Sequence, residues 1–169
     1  MRKSIFVLLF FFLVFSVFAD DFIKKYDDVM DMTYITHKDM EIAAFYNLRD
    51  SLSGERENVR LYIAGNMLVF AADYQYSKWL DIQQIVFLSE AGRFVIDNGD
   101  RSGHVVTSSV LRENYTAELK NADDFKAVLQ GANPVVCFVG RKSRTDKLKI
   151  KPKVSSAMLE TIEFFENRE

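Results

Sequence analysis

Val59-Arg60-Leu61-Tyr62-Ile63-Ala64-Gly65-Asn66-Met67-Leu68-Val69-Phe70-Ala71-Ala72-Asp73-Tyr74-Gln75-Tyr76 is the stretch that decides the fold. Val59, Leu61 and Ile63 alternate with Arg60 and Tyr62, a period of two that gives a strand one apolar face. Gly65-Asn66 is a turn pair, so Met67 to Tyr76 returns as the hairpin partner. The pattern recurs further on. Trp79 to Leu88 and Arg93 to Asn98 flank Ser89-Glu90-Ala91-Gly92, where glycine is free to take positive φ. His104 to Val110 and Glu113 to Leu119 make a further, more polar pair. Strands with one apolar and one polar face belong to an antiparallel sheet that is wet on one side.

Working outward, Ser51 to Asn58 is a polar loop and Met30 to His37 alternates as a strand. Glu41 to Leu48 fits a helix or a strand, and its strand neighbours favour the strand. Asp20 to Asp31 is an acid-rich lead-in, read as a short helix or an ordered extension. Late in the chain, Asn121 can cap a helix carrying Phe125, Val128 and Leu129 at i, i+3, i+4, with Gly131 as its stop. Pro134 starts the apolar strand around Cys137, and a last helix begins near Ser155 with Met158, Ile162 and Phe165 on one face. The expected fold is α+β: a single antiparallel sheet, or an open barrel or sandwich of hairpins, with two late helices. No repeat or composition shift marks a second domain after residue 20.

The chain starts Met1-Arg2-Lys3, runs apolar from Ile5 to Phe18, and offers Val17-Phe18-Ala19 to a signal peptidase. These are the parts of a secretory signal peptide over residues 1–19, and the apolar run is short for a membrane span of roughly 20 residues. Export to the periplasm or beyond is the expectation, with no transmembrane segment in the mature chain. Losing Arg2 and Lys3 leaves 20 basic against 24 acidic side chains, which argues against a general nucleic-acid binder. Cys137 is the only cysteine, so the chain cannot staple itself with a disulfide and must rely on core packing.

The order of features is similar to that of an uncharacterised β-rich domain family of bacterial exported proteins and lipoproteins. The resemblance runs from Tyr26 to the C-terminus. It rests on Thr33-Tyr34 after an acidic lead-in, on Trp79-Leu80 before Ile85-Val86-Phe87-Leu88, and on Pro134 to Arg141 followed by a basic connector and the closing helix. This chain differs in having Tyr34 where the family commonly has tryptophan, and in a polar insertion near Ser53. The resemblance implies an α+β fold and an envelope setting. It carries no activity and no catalytic residues.

No segment forms a catalytic, cofactor or metal-binding motif. His37, Asp39 and Glu41 with the upstream aspartates form a polar cluster without ligand spacing, for which a solvated strand end is the ordinary explanation. His104 lies near Ser102, Ser108 and Ser109 without the sharp turn a serine nucleophile needs. Trp79, with Tyr74 and Tyr76 nearby, is either a binding ledge or, more ordinarily, core. The most pointed feature is the run from Arg141 to Lys153. As a strand it would set Lys147, Lys149, Lys151 and Lys153 on one face and Leu148, Ile150 and Val154 inward. Such a ladder either meets an acidic envelope component or protein partner, or shields an edge strand from aggregation. The sequence therefore points to a non-enzymatic binding or scaffolding module. Its contact residues would be Arg141, Lys142, Arg144, Lys147, Lys149, Lys151, Lys153 and Trp79. The alternative is a small periplasmic enzyme built from His37, Asp39 and His104.

Overall fold

The computed structural model describes residues 21–28, 31–43, 56–107 and 110–168. They form strands β1 (Phe22–Asp27) and β2 (Met32–His37), helix α1 (Lys38–Ala43), and strands β3 (Arg56–Ala64), β4 (Met67–Tyr76), β5 (Ile82–Ser89), β6 (Gly92–Ile96), β7 (Asp100–Thr107) and β8 (Val110–Glu118). Helix α2 (Ala122–Gln130), strands β9 (Val135–Gly140) and β10 (Leu148–Lys149), and helix α3 (Pro152–Glu166) follow. The expected signal segment, Ala44 to Leu48, and Ser108 and Ser109 lie outside the described residues.

The described residues are α+β and mostly strand, as the alternation predicts, but they make two antiparallel sheets and not one. A six-stranded sheet runs β1-β2-β3-β4-β8-β7 and a four-stranded sheet runs β10-β9-β5-β6. The β3–β4 hairpin pairs in the register its pattern implies, with Ala64 opposite Met67 and Val59 opposite Ala72. The sheets meet through aromatic side chains. Phe70 of β4 stands edge-on to Phe87 of β5, and Phe125 of α2 closes on Phe87 and Phe94. Phe70, Phe87, Phe125 and Phe138 are fully buried, each contributing roughly 1.5–3 kcal/mol of apolar transfer. Tyr115 ties one sheet to the other by donating its hydroxyl proton to the Ile96 carbonyl at 3.2 Å.

Four local expectations are corrected. The acidic lead-in is an edge strand: Phe22 to Asp27 pairs with Met32 to His37 across a turn where Asp31 takes φ 48°. Glu57 and Asn58 belong to β3 and not to a loop. Glu41 to Ala43 are helical and not extended. The last helix starts at Pro152, three residues before Ser155, because proline has no N–H to lose in the first turn and its φ already suits a helix. Asn121 occupies the N-cap position of α2 without a side-chain cap bond, and Gly131 ends the helix in an extended conformation.

Helix α3 lays Val154, Ala157, Met158, Thr161 and Ile162 onto the core beside β2 and β3. Ser155 Oγ donates to the Leu129 carbonyl of α2 at 3.1 Å. Cys137 is buried in β9. Among the described residues, no helix is long and apolar enough to cross a membrane.

Candidate functional site: an aromatic cleft beside a basic turn

The connection from β4 to β5 carries the chain from one sheet to the other, and one carboxylate fixes its path. Glu113 of β8, buried, accepts the backbone N–H groups of Leu80 (2.5 Å), Asp81 (3.0 Å) and Ile82 (3.0 Å). Three donors to one charged acceptor make a strong, desolvated anchor. Asp81 sits at φ 56° with its side chain held on both sides. Gln83 Nε2 donates to Oδ1 at 3.1 Å, and Arg141 Nε meets Oδ2 at 2.7 Å. Leu80 is drawn inward against Gly140, where a Cβ would overlap the Leu80 carbonyl oxygen.

With Leu80 committed to the core, its neighbour Trp79 turns out. It is 49% exposed, which overturns the expectation that it fills the core. Its six-membered ring rests on Gly103 of edge strand β7, where an added Cβ would come within 2.7 Å of the ring. Tyr74 and Tyr76 take no part in this ledge. They stack on each other at 4.3 Å, and the Tyr76 hydroxyl donates to Glu57. Beside Trp79 opens a wide, open cleft of about 410 Å³ bordered by Asp81, Arg101, Gly103, Glu113 and Asn114. The Arg101 guanidinium reaches the Ile82 carbonyl at 3.4 Å and meets no carboxylate among the described residues. Behind it, burial pushes the Tyr115 phenol above its ordinary value, and the hydrogen bond from the Gly99 amide offsets this only partly.

The basic run does not form the expected ladder. Gly140 N–H bonds to the Ser143 carbonyl (2.8 Å), and Arg144 bridges to Val139. The segment then lies along β9 with only Leu148 and Lys149 paired as strand. Lys151 is the N-cap residue of α3, and Lys153, in its first turn, pairs with Asp39 at 2.9 Å. The inward side was legible, since Leu148, Ile150 and Val154 are all buried. Lys142, Arg144, Lys147 and Lys149 are exposed and form no ion pair among the described residues. Arg141 joins the basic turn to the cleft through its Asp81 pair, so Trp79 and the start of the basic run, far apart in sequence, share one end of the molecule.

A second cluster lies where β2 meets α3. His37 Nε2 and Glu160 Oε2 are 2.9 Å apart, and Ser156 Oγ donates to Glu160 Oε1 at 2.9 Å. Asp21, His37 and Glu160 bring ligand atoms within 4.8 Å of one another, a spacing that suggests a metal. The histidine does not fit that role. Its Nδ1 accepts the Asp39 amide proton at 3.1 Å, so the ring proton resides on Nε2 and is donated to Glu160. A metal-binding histidine instead donates from its second nitrogen and offers a lone pair from the first. Both nitrogens of this buried ring serve the fold: one caps α1 and one latches α3 to β2.

His37 and Asp39 thus lie together, whereas His104 does not join them. It stands on β7 opposite Arg112. Strands β3, β4 and β8 intervene, about 19 Å across the sheet at roughly 4.8 Å per strand. Glu113 and Gly103, the two residues that shape the Trp79 cleft, had no signature in the sequence. Comparison with family models, with curated proteins and with solved structures found no match.

Proposed function

We propose that the chain is an exported domain of the bacterial envelope that binds or scaffolds an acidic component there and catalyses no reaction. Its contact is the end of the molecule where Trp79 and the turn from Arg141 to Arg144 meet. The observation that carries this reading is the half-exposed Trp79, held on Gly103 in a cleft bordered by Arg101, which meets no carboxylate among the described residues. Tryptophan and arginine are enriched among binding hot spots, and complementary charge steers a partner toward them. The segment from Met1 to Ala19 supports export. The resemblance to exported β-rich domains supports the envelope setting. The enzyme alternative has less support, because both ring nitrogens of His37 are engaged within the protein.

The test is co-sedimentation of the purified protein with isolated bacterial envelopes. Binding at low salt that is released at several times physiological ionic strength supports the reading. A protein that stays in the supernatant at low salt overturns it.

A further inference from the structure

We infer that the Trp79 cleft takes an acidic sugar residue, with the sugar ring on the indole and its carboxylate or phosphate on Arg101. The inference rests on the binding role proposed above and names its ligand class. Trp79 offers a flat apolar surface beside polar groups. A pyranose ring matches this combination, because it presents C–H groups on its face and hydroxyls around its edge. An apolar peptide side chain in the same cleft would leave most of the Arg101 donors, of which one reaches the Ile82 carbonyl, without an acceptor, which is costly.

Charge complementarity selects an acid over a neutral sugar. Two carboxylates border the cleft, and both are already engaged. Glu113 is occupied by three backbone N–H groups, and Asp81 is held between Gln83 and Arg141. The Asp81 charge is balanced by Arg141, and Glu113, which keeps its charge, is turned toward the backbone of the turn. Arg101, by contrast, is exposed and meets no carboxylate among the described residues. Its fork of donors suits a carboxylate or phosphate.

Trp79 is the only tryptophan of the chain, so its emission reports on this cleft alone. The purified protein is titrated with trigalacturonate and, as the neutral counterpart, with maltotriose. Calorimetry runs in parallel. Trigalacturonate is expected to give a saturable change in emission and to bind about ten-fold more tightly than maltotriose. Arg101→Met should weaken the trigalacturonate affinity about ten-fold. Arg93→Met, the same charge removed at the exposed β5–β6 turn, should leave it unchanged. No saturable signal with trigalacturonate overturns the ligand class. Equal affinity for the two saccharides, or equal loss in the two arginine variants, overturns the assignment of the acid group to Arg101. If trigalacturonate fails while the protein still sediments with envelopes, the ligand class falls and the binding role stands.

Discussion

The indole of Trp79 lies on the bare backbone of Gly103, and any side chain at that glycine would have to displace it. The seat exists because the neighbouring Leu80 is committed to the core while Glu113 fixes the turn that follows. Gly103→Ala is therefore expected to move the ring outward. Trp79 emission should shift to the red and envelope binding should weaken. Stability should fall by about 1 kcal/mol or less, since a half-exposed side chain can yield. Unchanged emission would mean that the glycine does not set the position of the ring.

Glu113→Gln tests the anchor beneath the cleft. The amide keeps one oxygen but turns an NH₂ group toward backbone donors that need an acceptor. Unfolding in denaturant should show a loss of about 3 kcal/mol, in line with charged hydrogen bonds of ~1.5–3 kcal/mol each that are partly retained. A change below about 1 kcal/mol would show that the three N–H groups do not depend on the charge.

The His37–Glu160 pair is expected to behave as a latch. His37→Ala should cost about 2 kcal/mol through the lost bonds and the lost packing on Phe22. Amide exchange should quicken first in α3. Added zinc should leave the Tm of the unmodified protein unchanged, because the ring offers no free lone pair to a metal. A zinc-dependent rise in Tm that is lost in His37→Ala would reverse this assignment.

Tyr115 sets an alkaline limit. Its pKa is raised in the folded protein, chiefly by burial, so below the ordinary phenol value of about 10 it is protonated in both folded and unfolded chains. Above that value the unfolded chain ionises first, and stability falls as pH rises toward the raised folded value. Urea midpoints measured across this range should decline. Tyr115→Phe should flatten part of the decline, leaving the contribution of Tyr62, whose phenol is also raised, mainly by burial.

The hairpins were legible because their code is local. Val59, Leu61 and Ile63 announce their own inward face, and all three are buried as that code requires. The division into two sheets was not legible. Strand β5 finds β9 across some 50 residues, and nothing in Ile82 to Ser89 says which later strand will pair with it. Lys24-Lys25 hid an edge strand, since exposed edges tolerate lysine. The exposure of Trp79 was not legible for a tertiary reason: it depends on Glu113, Gly103 and Gly140, each contributed by another strand. The basic run was recognised, but its geometry depended on Pro152 starting a helix, which removed Lys151 and Lys153 from the expected face.

The most direct measurement compares envelope binding by the unmodified protein, by Trp79→Ala and by the double variant Lys142→Glu/Arg144→Glu, each over a salt series. Either change should lower affinity about ten-fold or more, and the charge reversal should also flatten the salt dependence. Binding that survives both changes with its salt dependence intact would contradict it.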